Sequence, residues 1–254
     1  MEAFNPMHLG GRRVMVTGAS SGIGRATCQY LDRLGARVIL VGRDRPRLEQ
    51  VVSTMDRGPH RIETFDLTAL DEIPRWMKGL ASEMGPMHAV VHSAGIFRLV
   101  PLRVLEADEV ERTYRLNVGA AVALARGFRQ KGVPASGGSI VYISSVAGLT
   151  GQPGVAAYAA SKGAIISLAR TLAVELARDG LRVNCVAPGM VRAGMSEEIL
   201  DRLSPAEVKR IEEMHPLGFG DPVDVAGAIA FLIAETGRWI TGTTLVVDGG
   251  YTAQ

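Results

Sequence analysis

The chain has few of the residues that mark several classes of protein. Its 254 residues include two cysteines, Cys28 and Cys185, with no CxxC pair and no histidine cluster at metal-ligand spacing. This argues against a disulfide scaffold, and we expect no metal. Both thiols are predicted to be small core hydrophobes in a reducing cytoplasm.

Long apolar runs, an excess of one charge and a secretory leader are also missing. No stretch of about 20 apolar residues is present, so no membrane contact is expected. The formal net charge is only +2, so no nucleic acid is expected as a partner. Residues 1–6 lack a charged stretch followed by an apolar one, and no signal peptide is expected.

Aromatic residues make up only 5% of the chain, while aliphatic residues and glycine dominate, as buried parallel strands require. Short β-rich runs alternate with helix-like stretches, which predicts one α/β domain over residues 1–254. The predicted strands are 13–17, 37–41, 61–66, 88–93, 139–144, 181–186 and 244–248. We predict a single Rossmann-type, doubly wound parallel sheet of about seven strands with helices on both faces.

A glycine-rich turn follows the first predicted strand and precedes a helix predicted over 25–34. Glycine lets a backbone approach a pyrophosphate, and a helix N-terminus offers free N–H groups and the positive end of a dipole. The turn therefore predicts a dinucleotide site. The expected contacts come from Gly18, Ser20, Ser21, Gly22, Ile23 and Gly24.

The end of the second predicted strand indicates which dinucleotide binds. NAD usually needs a carboxylate there for the ribose hydroxyls. This chain has Gly42 at that position and Arg43 next, and a guanidinium suits a 2′-phosphate. We therefore predict NADP(H), although Asp44 would contact the ribose of NAD if the register slips by two. A merely polar turn is the third interpretation.

Tyr158 and Lys162 are spaced so that they share one helix face. A tyrosine exchanges a proton with a carbonyl oxygen only if its pKa falls toward neutrality from about 10. A positive charge one turn away favours the phenolate, and Ser145 at a strand end can reach the same place. A proton together with a hydride predicts an oxidoreductase that acts on a small-molecule carbonyl or alcohol.

In this order, the motifs resemble the short-chain dehydrogenase/reductase family over nearly the whole chain, from Thr17 to Gly250. Within the family, the chain is most similar to 3-oxoacyl-carrier-protein reductases. The motifs are Thr17-Gly18-xxx-Gly22-x-Gly24, Ser93-Ala94-Gly95, Leu116-Asn117-Val118, Ser145, Tyr158-xxx-Lys162, Pro188-Gly189 and Val247-Asp248-Gly249-Gly250.

The resemblance implies a role for each catalytic residue. Tyr158 is the general acid in reduction, Lys162 lowers its pKa and binds the nicotinamide ribose, and Ser145 hydrogen-bonds the substrate oxygen. Asn117 holds a water that links Lys162 to solvent. The resemblance also implies a homo-oligomer, either a dimer or a tetramer. The other expected cofactor contacts are Asp66, Leu67, Ser93, Ala94, Gly95, Tyr158, Pro188, Gly189 and Val191.

Four positions have two interpretations or depart from the family pattern. Asp66 is expected either to accept a bond from the adenine amino group or to cap a helix predicted over 71–84. His92 and Ser93 replace two asparagines of the family pattern, and His92 is predicted to be a hydrogen-bonded structural histidine. Ala193 stands where the family often has a threonine for the nicotinamide carboxamide, which removes one side-chain bond.

After Pro188-Gly189 about 30 residues pass before the pattern resumes, which is long for an ordinary βα connection. Ser204-Pro205-Ala206-Glu207 is a capping box, so a helix is predicted to start there. We predict that residues of about 190–218 form a substrate lid. A packed structural helical hairpin is the alternative.

Two other functions stay open at this point. One is an NAD-dependent alcohol dehydrogenase of the same family, acting on a sugar, a steroid-like compound or a secondary metabolite. The other is a nucleotide-sensing binding protein, although the presence of all four catalytic residues argues against it. Delivery by a carrier protein is also open, since Ser136 and Asp179 stand where such reductases often have arginines. Other basic residues are near: Arg126, Arg129, Lys131 and Arg178.

Overall fold

The computed structural model describes residues 5–56 and 58–253, and a sheet of parallel strands forms its centre. The strand order is β3-β2-β1-β4-β5-β6-β7. The strands are β1 Arg13–Thr17, β2 Arg37–Gly42, β3 Arg61–Thr64, β4 Met87–His92, β5 Pro134–Ile143, β6 Arg182–Pro188 and β7 Thr244–Val247. The predicted fold class is confirmed.

Helices connect the strands and cover both faces of the sheet. They are α1 Gly22–Arg33, α2 Arg45–Val52, α3 Ile73–Met84, α4 Ala107–Tyr114, α5 Ala120–Phe128, α6 Ala156–Leu176, α7 Met195–Leu200, α8 Pro205–Glu213 and α9 Pro222–Ile233. A π-helical turn, Arg115–Gly119, joins α4 to α5. Within residues 5–56 and 58–253, no helix combines the length and apolar character needed to cross a bilayer.

The pleat of the strands divides the apolar residues between two cores. Met15 packs on one face with side chains of α3, α5 and α6, and its neighbour Val16 packs on the other with α1, α2 and α9. Each fully buried aliphatic side chain contributes about 1.5–3 kcal/mol to the stability of the fold.

Cys28 and Cys185 are free and buried, as predicted. Burial raises the pKa of the Cys185 thiol to about 12, so it is inert.

Several element boundaries differ from the sequence prediction. Strand β3 ends at Thr64 rather than at 66, because Asp66 turns the chain by accepting the N–H of Thr68 at 2.9 Å. Strand β5 begins at Pro134, which pairs with Met87 across a bulge. Helices α1 and α3 begin at 22 and 73 instead of 25 and 71.

The strand order changes direction at β1, which lies between β2 and β4. Thr17 at the end of β1 is level with His92 at the end of β4. The turns that leave these two strands run toward opposite sides of the sheet, and this opens a crevice between them. The glycine-rich turn and the residues that follow β4 therefore meet at one edge.

Segment 190–218 contains α7 and α8 and is tied to the sheet at both ends. The predicted capping box is confirmed, since Glu207 accepts the N–H of Ser204 at 2.8 Å and Ser204 accepts that of Glu207 at 3.4 Å. Val191 pairs with Gly220. The N–H of Leu217 donates to the Gly249 carbonyl at 2.9 Å. These contacts hold both ends of the segment to the rest of the protein.

Candidate active site

A cleft of about 380 Å³ opens at the carboxyl ends of the strands. It collects the predicted residues from turns that are far apart in the chain. Those that line it are Gly18, Ser20, Ser21, Gly22, Ile23, Arg43, Asp66, Leu67, Ser93, Ala94, Gly95, Ser145, Tyr158, Lys162, Pro188, Gly189 and Val191. Gly24 and Asn117 do not line the cleft. They contact residues that do, Gly18 and Ile96 respectively.

The glycine-rich turn is folded too tightly for side chains. Gly18 has a φ of +67°, and a Cβ there would lie 2.8 Å from the backbone of Ala94. A Cβ on Gly24 would lie 2.2 Å from the carbonyl oxygen of Gly18. Gly24 thus lets α1 approach the turn, while Gly18 and Gly22 form the cleft wall. This backbone cradle at a helix N-terminus fits the pyrophosphate of a dinucleotide.

The end of β2 supplies cationic groups to the cleft. Arg43 lines it, and so does Arg47, which the sequence prediction missed. Asp44 instead forms the N-cap of α2, where its carboxylate accepts the N–H of Arg47 at 3.1 Å. This bond occupies Asp44 in a structural role, so the register slip that NAD would need is disfavoured.

Asp66 lines the cleft but does not cap α3, whose N-cap is Glu72. One of its carboxylate oxygens accepts bonds from the N–H and hydroxyl of Thr68, each at 2.9 Å. These bonds lower the pKa of Asp66, and the charges of Arg43 and Arg115 lower it further. The helix-cap alternative is wrong, and Asp66 presents a carboxylate in the cleft.

Helix α6 holds Tyr158 and Lys162 one turn apart. Its buried stripe of Ile165, Ala169 and Ala173 fixes the helix against the sheet. The Nζ of Lys162 lies 5.5 Å from the centre of the Tyr158 ring and donates to the Ile143 carbonyl at 2.8 Å. Because the ammonium is buried, the pKa of Lys162 falls to about 8.

The pKa of Tyr158 departs from the sequence prediction. Burial raises it, and the side-chain hydrogen bond with Ser145 only partly lowers it again. The expected fall toward neutrality is absent because burial removes the phenol from water. The Phe97 ring, edge-on to Tyr158 at 4.9 Å, adds to the apolar surroundings.

Asn117 lies in the π-helical turn, a feature that often marks functional positions. Its Oδ1 accepts the N–H of Ile96 at 2.9 Å, and its Nδ2 donates to the Ile96 carbonyl at 3.1 Å. Nδ2 also donates to the hydroxyl of Ser161 at 3.0 Å. With both amide protons engaged, the side chain clamps the loop after β4 to α6. The predicted water contact stays a prediction.

His92 is a structural histidine, as predicted. Its Nδ1 and the hydroxyl of Thr17 lie 2.9 Å apart, and the same hydroxyl accepts the N–H of Ala94 at 3.2 Å. Burial, together with the charge of Lys162, lowers the pKa of His92 to about 3. The neutral ring therefore joins the ends of β1 and β4.

Sequence reasoning missed several residues that line the cleft. Six of them directly adjoin a predicted site residue and so had a positional signal: Gly42, Phe65, Thr68, Ile96, Leu116 and Ser144. Arg47 lies one turn after Arg43. Ala193, Met195 and Ser196 belong to the predicted lid segment, and Val41 and Ile143 lie near the ends of their strands.

The fold and this group of side chains define a dinucleotide-dependent oxidoreductase. Residues 18–252 match the family described as enoyl-(acyl carrier protein) reductase. The chain is 34% identical over 243 residues to the 3-oxoacyl-[acyl-carrier-protein] reductase of Rickettsia prowazekii (strain Madrid E), across 95% of this chain and 97% of that protein. It belongs to the short-chain dehydrogenase/reductase family, as the motifs predicted.

Other relatives are similar over comparable lengths. The cyclopentanol dehydrogenase of Comamonas sp. (strain NCIMB 9872) is 34% identical over 243 residues, 94% of this chain and 96% of that protein. A structure from Beutenbergia cavernae, described as an NAD(P)-dependent gluconate 5-dehydrogenase with NADP at low occupancy, has a TM-score of 0.89 and 32% identity, covering 98% of this chain and 100% of that one. The protein is thus an oxidoreductase of the CH–OH/C=O type that uses a nicotinamide cofactor.

The buried ammonium of Lys162 predicts a stability effect. The pKa of Lys162 is about 8 in the folded chain, below the ordinary lysine value of 10.5, so between these two values the unfolded chain binds more protons and stability rises with pH. At about pH 7, Lys162→Met should raise the free energy of unfolding by about 1–2 kcal/mol, and this gain should shrink as the pH rises through that window. Urea unfolding at several pH values measures it.

Lys209→Met is the matched control, because Lys209 lies exposed on α8. Its unfolding should match the wild type at every pH. A Lys162→Met variant that is less stable at about pH 7, or whose gain does not vary with pH, would contradict the buried-charge interpretation.

Proposed function

We propose that this protein is an NADP(H)-dependent oxidoreductase that interconverts a ketone and a secondary alcohol, similar to 3-oxoacyl-carrier-protein reductases. The observation that carries the proposal is the convergence of Ser145, Tyr158 and Lys162 in one cleft with the glycine-rich turn. A proton donor and a dinucleotide cradle in one cleft are what carbonyl reduction needs.

Separate parts of the cleft suit separate parts of the cofactor. The turn around Gly18 and Gly22 would hold the pyrophosphate, and Arg43 would hold the 2′-phosphate. Lys162 would bind the nicotinamide ribose, and the loop of residues 188–191 would contact the nicotinamide half. When bound, the nicotinamide supplies or accepts a hydride. The solved relative with NADP supports this choice of cofactor.

The side chains supply the proton. In reduction, Tyr158 donates its phenolic proton to the carbonyl oxygen as the carbonyl carbon receives the hydride, and Ser145 donates a hydrogen bond to that oxygen. The ammonium of Lys162, 5.5 Å from the centre of the ring, would stabilise the phenolate that remains and so oppose the desolvation that raises the pKa of Tyr158. In oxidation, the same groups take the proton away.

Asn117 supports this proton transfer from behind the cleft. Its bonds to Ile96 and Ser161 fix the loop and helix that face each other across Tyr158. We propose that the π-helical turn also holds a water through which Lys162 returns a proton to Tyr158. The side-chain amide protons are already engaged, so that water would be held by the main chain.

The substrate is proposed to be a small ketone or alcohol with an apolar body. Phe97 packs against Tyr158, and Ile96 and Met195 line the cleft. Arg129, a candidate for docking a carrier protein, is paired with Glu175 at 3.1 Å and Asp179 at 3.3 Å. This pairing disfavours a carrier, while the cyclopentanol dehydrogenase relative shows that a similar chain acts on a free alcohol.

Tyr158→Phe tests the proposed chemistry. Removing the proton donor should lower kcat by about 10²–10⁴-fold, with the affinity for NADPH nearly unchanged. The assay is nicotinamide absorbance with a panel of ketones and alcohols, and fluorescence titration measures the binding. Tyr30→Phe is the control, because Tyr30 lies on α1 and does not line the cleft, and it should keep full activity. More than about a tenth of wild-type kcat in Tyr158→Phe would exclude the general-acid role.

Arg43→Ala tests the choice of cofactor. The variant should weaken NADPH binding by about 1.5–3 kcal/mol, the range for a hydrogen bond to a charged group, and barely change NADH binding. Arg45→Ala is the matched control, because Arg45 lies two residues away, pairs with Glu49 and does not line the cleft. Equal losses of affinity for NADPH and NADH would overturn the role of Arg43. A wild-type preference for NADH would favour the alternative, an NAD-dependent alcohol dehydrogenase of the same family.

We propose that residues within 190–218 act as a lid over the nicotinamide and substrate. Met195 and Ser196 of this segment already line the cleft, and α7 and α8 lie between the two anchored ends. Hydrogen exchange should show weak protection of about 195–210 in the free protein and strong protection with NADPH and substrate. Strong protection in both states would indicate the structural hairpin instead.

The proposed assembly is a homo-oligomer, either a dimer or a tetramer. The proposed location is the reducing cytoplasm. Val174 and Trp239 are exposed by 83% and 93%, and such apolar side chains are typical of surfaces that are covered in an assembly. Free, buried cysteines suit a reducing compartment. Light scattering that gives the mass of one chain would exclude the oligomer.

A further inference from the structure

A buried histidine, His215, joins the two anchored ends of segment 190–218. It is 5% exposed, so its ring nitrogens must find partners within the protein. Nε2 accepts the N–H of Met190 at 3.2 Å, and Nδ1 donates to the carbonyl of Ile211 at 2.8 Å. These two bonds define one neutral tautomer, with the proton on Nδ1.

The bond to Met190 falls in the loop that lines the cleft below the strand ends. Gly189 and Val191, on either side of Met190, both line the cleft. The carbonyl of Met190 accepts the N–H of Gly220 at 2.9 Å. His215 and Gly220 together therefore fix the N–H and the carbonyl of Met190, which sets the direction of the peptide groups next to it.

Aromatic packing holds the imidazole in place. The ring of Tyr251 stacks on it with centres 4.8 Å apart, and Phe219 meets it edge-on at 5.7 Å. The Tyr251 hydroxyl accepts a bond from Gln152 at 3.2 Å, in the loop that follows Ser145. The ring position is thus fixed from the C-terminal side and from the lid side.

We propose that His215 is a positioning residue for the loop of residues 189–191, and that it acts as the hydrogen-bond acceptor of the Met190 N–H. The proposal rests on the proposed binding of a dinucleotide in the cleft. Ala193 has no side-chain group to bond a carboxamide, so the backbone of this loop must supply those contacts. The orientation of these backbone groups then depends on the hydrogen bonds that hold the loop, and the bond from the Met190 N–H to His215 is one of them.

Three variants separate the two bonds of the imidazole. His215→Gln places an acceptor near the Nε2 position, so it keeps the bond to Met190. His215→Asn reaches only the Nδ1 position and keeps the bond to Ile211. His215→Phe keeps the ring for Tyr251 and loses both bonds. Each is measured for the KM of NADPH and kcat at about pH 7.5, with thermal unfolding to confirm that it is folded.

We expect the KM of NADPH at about pH 7.5 to rise about three- to tenfold in His215→Asn and His215→Phe, the effect of one lost hydrogen bond, and to stay near the wild-type value in His215→Gln.

Other results overturn the proposal. If His215→Asn matches the wild type while His215→Gln is impaired, the bond to Ile211 matters and the role is only to hold α8. If all the variants match the wild type, Met190 is not positioned by this ring. A wild type without NADPH binding or turnover would instead overturn the proposed function.

Discussion

The contact between the backbones that leave β1 and β4 is the constraint on which the candidate site depends. The glycine at position 18 allows the Ala94 backbone to come within 2.8 Å of where a Cβ would be, and the Thr17 hydroxyl accepts the Ala94 N–H. This contact presses the dinucleotide turn against the loop that continues to Ile96. Asn117 then fixes that loop to α6, so the cofactor and proton-transfer parts of the cleft have a common frame.

Lys162 shows how function opposes stability within this frame. Its ammonium is 6% exposed, and burial lowers its pKa to about 8, so the folded chain carries a charge in an environment that disfavours it. The bond to the Ile143 carbonyl compensates only in part. A buried charge lowers the stability of the fold, and residues that lower stability in this way are typical of functional sites.

The sequence predicted the parallel sheet because buried strands leave continuous apolar runs, and it predicted most of the cleft wall because the motifs follow strand ends. It failed where long-range packing decides. The pKa of Tyr158 depends on burial beneath the Phe97 loop, and Met195 reaches the cleft only because its segment folds back. The sequence left Asp44 open as a ribose contact. In the structure its carboxylate instead accepts the N–H of Arg47 and caps the start of α2.

The π-helical turn, Arg115–Gly119, has a consequence for how this chain can vary in length. It sets the helical phase of α5 relative to α4, since each α-helical residue adds about 100° of rotation. Losing one residue here would merge the two helices into a regular one and turn the Asn117 amide away from Ile96. This stretch should therefore accept substitutions on its exposed side far better than a change of one residue in length.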